Sequence, residues 1–151
     1  MAVTKRKSYQ DEKYWGKPVP GFGPAHAKLI ILGLAPGAHG ANRTGRVFTG
    51  DSSGDWLYRS LHKAGLAKIS TSTYANDGQE LINTRILCAV RCAPPDNKPS
   101  TEEKEACAPF FENEIALLLP TAKTFLALGN LAWESIYRTL KDLGCTMPTP
   151  R

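Results

Sequence analysis

Residues 28–56 read KLIILGLAPGAHGANRTGRVFTGDSSGDW, and this stretch decides the fold. Residues 28–32 end in four consecutive aliphatic side chains, a composition typical of a buried parallel strand. Residues 33–51 contain five glycines, which let the chain turn sharply and bring backbone N–H groups close to a ligand. Residues 52–55 offer capping side chains for a helix that we expect to begin near Trp56. The stretch therefore predicts a strand, a candidate active-site loop and a helix.

The composition is that of one ordinary globular domain. A chain of 151 residues buries roughly 68–70% of its unfolded surface, so a hydrophobic core can form without disulfide or metal cross-links. Nineteen basic and fourteen acidic residues give a net charge of +5, which favours polyanionic partners without requiring them. No apolar run approaches the roughly 18 residues of a membrane span, and the basic N terminus lacks the pattern of a secretory signal. We therefore expect a soluble, cytoplasmic monomer with no membrane partner.

Strand and helix patterns alternate along the rest of the chain. They predict a helix from Trp56 to a cap at Gly65, a strand over 82–90, a strand over 124–128 and a helix over 132–143. This alternation predicts an α/β fold, a three-layer sandwich with a short parallel sheet. Since such a fold normally enters another strand after a helix, we expect the last strand to be missing from this chain.

Prolines mark two interruptions of the pattern. Residues 1–24 combine aromatic side chains, charges and three prolines, and we expect them to form an N-terminal arm packed on a domain of residues 25–151. Proline does not continue a helix easily, so Pro109 predicts a short helix to about Cys107 and a second one beginning near Pro109. We expect Phe110 to face the core from this second helix.

The loops after the first two predicted strands, residues 36–51 and 92–99, are both rich in glycine or proline. Ligands in open α/β sheets bind beyond the carboxyl ends of the strands, so we expect the two loops to face one crevice. The first loop matches neither the Gly-x-Gly-x-x-Gly pattern nor a phosphate loop ending in Gly-Lys-Ser/Thr. The motif therefore does not support a generic nucleotide site.

Three runs of sequence resemble a known protein family. They are GLAPGAHGANRTGRVFTGD with the following SGDWLY (33–51 and 53–58), RCAPPDNKP (91–99) and YWGKPVPGFG (14–23). These runs are similar to the family 5 (type B) uracil-DNA glycosylases, and the resemblance covers nearly all of the chain. It implies a uracil-DNA glycosylase fold and a repair enzyme whose partner is DNA containing uracil or another deaminated base. Such enzymes flip the base out of the duplex and hydrolyse its N-glycosidic bond.

The chemistry implied by this resemblance needs a negative group near the sugar. Bond breaking gives the sugar oxocarbenium character and makes the departing base an anion, so hydrogen-bond donors near the base are needed as well. We expect Asp51 to be the catalytic carboxylate, because it lies at the far end of the loop beside a helix start, with Asp55 as the second candidate. A helix N-cap is the alternative role for either aspartate.

The resemblance also suggests which residues contact the base. Phe48 would stack on it, backbone N–H groups around Ala38 and His39 would supply polar contacts, and the His39 side chain would donate to the base or to a phosphate. Cys88 stands where the related family 4 carries a base-reading asparagine, which leaves Asn97 as the expected amide and favours a specificity that extends to hypoxanthine or xanthine. For Phe48 the alternative is a core side chain.

Arg43 and Arg46 are candidates for contacts with DNA phosphates. Solvated loop charges are the alternative, since exposed arginines most often have no partner.

Cysteine spacing adds a cofactor expectation. The four cysteines are read as reduced or metal-bound thiols, or simply as buried ones. By resemblance, Cys92 and Cys107 match two of the four thiolate ligands of a 4Fe-4S cluster. The other two ligands and the family's His-Pro-Ser motif are not found in this sequence, so we expect a glycosylase truncated at both ends. The alternatives are a non-catalytic DNA- or nucleotide-binding module and an inactive fragment.

Overall fold

A computed structural model describes residues 4–148, so the outermost residues of the predicted arm and domain, 1–3 and 149–151, lie outside the described residues. Three parallel strands form a single sheet in the order β2-β1-β3: β1 (Leu29–Gly33), β2 (Thr84–Cys88) and β3 (Thr124–Ala127). Ile31 in the central strand lies beside Ile86 on one side and Leu126 on the other. The short parallel sheet predicted from the sequence is therefore confirmed.

Helices alternate with these strands. They are α1 (Ala41–Thr44), α2 (Ser52–Lys63), α3 (Thr101–Leu118) and α4 (Asn130–Asp142), with single 3-10 turns at Lys7–Tyr9 and Pro95–Asn97. The sequence pattern does not predict α1, because a helix of four residues is too short to show a hydrophobic period. Within residues 4–148, none of the helices has the length and apolar character needed to span a membrane.

Two hydrophobic cores lie on opposite faces of the sheet. Successive side chains of a strand point to opposite faces, so Ile30 and Leu32 pack with α3 and α4, whereas Ile31 packs on the other side. The second core contains Val47 from the glycine-rich loop and Tyr58 from α2. Helices on one face, the sheet, and α2 with the loop on the other face make the three layers, and the predicted α/β fold class is confirmed.

The N-terminal arm lies along the free edge of β2. Phe22 and Ile86 exchange two backbone hydrogen bonds of 2.8 Å as an antiparallel bridge. Val19 is buried, and its N–H donates to the carbonyl of Arg91 at 2.8 Å. The arm therefore approaches the carboxyl ends of the strands, where the two unusual loops, residues 36–51 and 92–99, begin.

The prediction that Pro109 divides a helix is wrong, because α3 continues unbroken through it. The missing backbone N–H removes one hydrogen bond. On the C-terminal side of the proline, Phe111 and Ile115 bury their side chains in the core, which offsets this loss. Phe110 is also misassigned: it is 68% exposed, because it is Phe111 that shares a helical face with Ile115.

α2 begins at Ser52, four residues before the predicted start near Trp56. The cap is Asp51 and not a residue of the 52–55 segment. Trp56 is 73% exposed, whereas Tyr58 and Leu61 face the core. Asp51 is thereby fixed at the N terminus of a helix that packs against the sheet.

Candidate active site

The two unusual loops meet the arm at an open cavity of about 530 Å³ beyond the carboxyl ends of β1 and β2. The residues that line it are Arg6, Tyr9, Gly37, Ala38, His39, Gly40, Gly50, Asp51, Ser52, Ser53 and Asn97. The expectation that both loops face one crevice is confirmed, since Asn97 of the second loop shares the open cavity with His39 and Asp51 of the first.

A small recess of about 140 Å³ lies beside the open cavity. Its lining residues are Ala35, Pro36, Gly37, Phe48, Asp51, Ser53 and Cys88. A protein cavity of about 150 Å³ holds a benzene ring, so the recess has the size of a single six-membered ring. Asp51 lines both the small recess and the open cavity and therefore lies at their junction.

The two oxygens of the Asp51 carboxylate have different surroundings. Oδ1 accepts a hydrogen bond of 2.9 Å from the backbone N–H of Gly54 and caps α2. Oδ2 accepts no hydrogen bond from the described residues and lies against Gly37 and Gly40. The N-cap role and a free carboxylate oxygen thus coexist in the same side chain.

Two glycines are required by these close approaches. A Cβ at Gly40 would lie 2.0 Å from Asp51 Oδ2, and a Cβ at Gly33 would lie 2.7 Å from the ring of Phe48. Both contacts are far shorter than van der Waals distance. Glycine at these positions therefore lets the backbone of the loop and of β1 lie directly against the two side chains of the site.

Phe48 is half-buried and has a φ of 51°, which is uncommon for a bulky residue. Its neighbours hold it there: Thr49 is fully buried, and its hydroxyl lies 3.1 Å from Arg46 Nε and 2.6 Å from the Ser72 hydroxyl. Arg46 in turn pairs with Asp77 at 2.6 Å. This network keeps the ring of Phe48 at the small recess.

Arg43 and Arg46 do not reach solvent, so neither the predicted phosphate contact nor the solvated alternative is correct for them. Both are buried. Arg43 pairs with Glu12 of the arm at 2.7 Å, and its guanidinium stacks over Tyr9, 4.0 Å from the ring centroid. The two guanidinium groups therefore connect the glycine-rich loop to other parts of the chain through ion pairs, Arg43 to Glu12 and Arg46 to Asp77.

His39 and Ala38 contribute to the wall of the open cavity that faces the arm. The Nδ1 atom of His39 lies 2.8 Å from the Tyr14 hydroxyl. Burial lowers the pKa of His39, and the positive charges of Arg6 and Arg43 lower it further, so the ring is neutral at neutral pH.

Asn97 lies across the open cavity in an exposed turn, with a φ of 57°. It shares the open cavity with Asp51 but does not line the small recess.

The two thiols expected to bind a cluster, Cys92 and Cys107, share a separate pocket of about 450 Å³ that is mainly apolar. The backbone N–H of Arg91 lies 3.5 Å from Cys107 Sγ. Burial raises the pKa of Cys92, and its proximity to Cys107 adds to the rise. No cluster of three or more potential metal-ligating side chains occurs in the region spanning 4–148, so these residues alone do not fit a four-thiolate cluster.

The remaining cysteines lie elsewhere. Cys88 is buried at the small recess, and burial raises its pKa to about 12, so it is a neutral thiol. Cys145 packs against the core on the α3 and α4 side of the sheet.

The contribution of the arm to the open cavity is not visible in the sequence. Arg6 and Tyr9 line the cavity, and Tyr14 lies behind His39. The aromatic and basic composition of residues 4–16 is the available signal, but a single sequence does not show against which loop such a segment packs. Ser52 and Ser53, expected only as caps, also line the open cavity.

Comparison with known proteins places this chain in a family. The sequence model of the uracil DNA glycosylase superfamily matches residues 20–151. The chain is 49% identical over 138 residues to a type-5 uracil-DNA glycosylase of Mycobacterium leprae, covering 91% of this chain and 60% of the relative. It is 48% identical over 134 residues to the type-5 enzyme of Thermus thermophilus, covering 89% and 60%. A type-4 uracil-DNA glycosylase of Pyrobaculum aerophilum is 32% identical over 125 residues, covering 82% and 55%.

The chain thus spans about 55–60% of the length of these curated relatives. The resemblance to family 5 that the loop motifs suggested is confirmed by the higher identity to the type-5 proteins. The family model matches most of the sequence, and the glycine-rich loop that follows β1 of the parallel sheet ends at an aspartate that caps a helix. This chain therefore belongs to the uracil-DNA glycosylase superfamily.

Proposed function

We propose that the protein hydrolyses the N-glycosidic bond of uracil and of other deaminated bases in DNA, as a base-excision repair glycosylase. The observation that carries the proposal is the position of Asp51, which lines both the small recess and the open cavity and has one carboxylate oxygen that accepts no hydrogen bond from the described residues. A nucleotide flipped out of DNA has a flat base joined to a larger sugar-phosphate. The small recess and the open cavity offer one space for each.

In this arrangement the base enters the small recess and stacks on Phe48. The sugar then lies at the junction, beside Asp51 Oδ2, where a negative charge stabilises the developing oxocarbenium ion or orients the attacking water. Backbone N–H groups around Ala38 and His39, together with the Asn97 amide, supply polar contacts from the open cavity. Water is the nucleophile, and the base leaves with the electron pair of the broken bond.

A gel assay on DNA with one uracil tests this function against a non-catalytic binding module. Alkali-labile strand breaks at the uracil support the enzyme. Shifted bands without breaks, weakening steeply as salt is raised, would support a module that only binds DNA. Matched DNA with thymine in place of uracil is the control, because it presents the same backbone without the deaminated base.

Phe48→Ala is expected to slow uracil excision by about 5- to 150-fold, the range that corresponds to a lost base-aromatic stack of 1–3 kcal/mol. Single-turnover kinetics on the uracil oligonucleotide measure the effect. Trp133→Ala is the control, because Trp133 is an exposed aromatic residue on α4 and lines neither the small recess nor the pocket of Cys92 and Cys107. Equal losses in both variants would show that Phe48 has no specific contact with the base.

We also propose that Cys92 and Cys107 are two of the thiolate ligands of a 4Fe-4S cluster. Their shared pocket and the Arg91 N–H beside Cys107 Sγ support this. Such a cluster would be structural or redox-active, and the reaction at Asp51 takes place in a different cavity. The test uses protein that also carries the two remaining thiolate ligands. This protein is expected to contain iron that Cys92→Ser removes and Cys145→Ser leaves in place. If it is free of iron when purified without oxygen, the assignment is contradicted.

Finally, we propose that the protein works as a monomer in the cytoplasm. None of the four cysteines forms a disulfide, as expected of a reducing compartment. The net charge of +5 suits a DNA partner.

A further inference from the structure

Tyr14 links the N-terminal arm to the open cavity through His39. The phenol oxygen and His39 Nδ1 lie 2.8 Å apart, and the two rings meet edge to face with centroids 6.0 Å apart. Tyr14 is buried and does not line the open cavity, whereas His39 does. Nδ1 is therefore turned towards the arm, and Nε2 is the ring nitrogen left for the cavity.

Neighbouring groups determine which atom donates in this hydrogen bond. His39 is neutral at neutral pH, for the reasons given above. Burial raises the pKa of Tyr14, opposed by the charge of Arg43, so the phenol keeps its proton. Among the described residues, His39 Nδ1 is the only hydrogen-bond partner of the buried Tyr14 hydroxyl. The phenol proton is therefore donated to Nδ1, and a neutral ring that accepts at Nδ1 carries its proton on Nε2.

Arg43 fixes the same residue through its backbone. Its Nε donates to the His39 carbonyl at 2.8 Å, and its Nη2 donates to the Gly50 carbonyl at 3.1 Å. Nη1 pairs with Glu12 of the arm. One buried guanidinium thereby joins the arm to both walls of the open cavity, so the position of the ring relative to Asp51 is defined.

We propose that Tyr14 is a positioning residue that holds His39 as an Nε2–H donor to an acceptor oxygen of the flipped nucleotide in the open cavity. The proposal rests on the glycosylase function proposed above. The acceptor is either a carbonyl on the edge of the base that faces the open cavity or a phosphate oxygen, and both offer the same chemistry to an N–H donor. If it is the base carbonyl, the fixed donor also selects for deaminated bases, because deamination replaces an amino donor with a carbonyl acceptor.

The tautomer of His39 is measured directly by long-range ¹H–¹⁵N NMR of the protein. His62 provides an internal reference: its Nδ1 lies 3.0 Å from the Ala67 carbonyl, which can only accept, so its proton is on Nδ1. We expect His39 to show the Nε2–H pattern in wild-type protein and a mixture of tautomers in Tyr14→Phe. The control Tyr137→Phe, which removes an exposed hydroxyl on α4, is expected to leave the pattern unchanged. An Nδ1–H pattern for wild-type His39, or an unchanged tautomer in Tyr14→Phe, would overturn the proposal.

Single-turnover excision measures the consequence. Tyr14→Phe is expected to be about tenfold slower than wild type, the effect of about one lost hydrogen bond, while Tyr137→Phe keeps the wild-type rate. Wild-type protein and Tyr14→Phe are also compared on DNA with a neutral methylphosphonate next to the uracil. If His39 contacts the base, the loss of rate caused by Tyr14→Phe and the loss caused by the methylphosphonate multiply. If His39 contacts that phosphate, the combined loss is smaller than the product of the two.

The two proposals fail in distinguishable ways. Wild-type protein without excision overturns the proposed function, and the NMR spectrum still decides how Tyr14 and His39 are arranged. Wild-type excision with an equal rate in Tyr14→Phe overturns the role of Tyr14 alone.

Discussion

Asp51→Asn is expected to excise uracil roughly 100- to 10,000-fold more slowly than wild type, the range found for a lost general acid-base group. Asparagine caps a helix about as well as aspartate, so α2 keeps its N-terminal hydrogen bond to Gly54. What the substitution removes is the negative charge on Oδ2 at the junction of the small recess and the open cavity. Single-turnover kinetics on a uracil oligonucleotide measure the loss, and circular dichroism checks that the fold is retained.

Asp55→Asn is the matched control. Asp55 lies in the first turn of the same helix, is exposed and does not line the open cavity or the small recess. Its charge contributes to the same helix terminus, so both variants change the helix electrostatics alike. Wild-type excision by Asp51→Asn, or a comparable loss in Asp55→Asn, would remove Asp51 from the catalytic role.

Asp77→Ala is expected to lower the free energy of unfolding by about 3–5 kcal/mol, the cost of leaving a buried charge without its partner. The charge left unpaired is that of Arg46, which is 3% exposed. Arg46 would keep its hydrogen bonds to Thr49 and Ser72 but would lose its ion pair with the carboxylate of Asp77. Urea unfolding measures the loss. The same network fixes Thr49, the residue that follows Phe48, so the rate of uracil excision should fall as well.

The pH dependence of stability gives a second measure of this ion pair. Burial raises the pKa of Asp77, but hydrogen bonds from Arg46 and from backbone N–H groups outweigh burial and hold the pKa well below its ordinary value. A depressed pKa stabilises the fold fully above the unfolded-state value of about 3.9. This stabilisation decreases as pH falls through the folded-state pKa. Wild-type protein should therefore lose stability below about pH 4, and Asp77→Ala should lose less over the same range.

Glu80→Gln is the control for this prediction. It breaks the ion pair between Lys68 and Glu80, whose side chains are 55% and 69% exposed, and should cost less than about 1 kcal/mol. If Asp77→Ala cost no more than Glu80→Gln, the buried network would not be what holds the loop.

Much of the fold follows from local sequence. Buried parallel strands read as apolar runs, so residues 28–32 and 124–128 are recognisable as strands, and the carboxyl ends of such strands meet at one edge of the sheet. For this reason the sequence alone predicts that the two loops share one crevice. The placement of Asp51 beside a helix start follows from the local pattern in the same way.

Tertiary pairing does not follow from local sequence. Arg43 pairs with Glu12, and Arg46 with Asp77, each across 31 residues of sequence. No local pattern reveals such a partner, and an arginine in a glycine-rich loop looks the same whether it is paired inside or free outside. The prediction at Pro109 fails for the opposite reason: a local rule is correct about the lost hydrogen bond, but the packing of Phe111 and Ile115 outweighs it.

The central claim is that the site around Asp51 removes a base from DNA, and mass spectrometry of the substrate tests it most directly. An oligonucleotide with a single uracil is incubated with wild-type protein, and the masses of the strand and of the released small molecules are measured. We predict a strand that has exchanged its uracil for a hydroxyl at the sugar, together with free uracil, and roughly 100-fold less, or still less, of both products with Asp51→Asn after the same time. An intact strand after incubation with wild-type protein under conditions where it binds the DNA would contradict the claim.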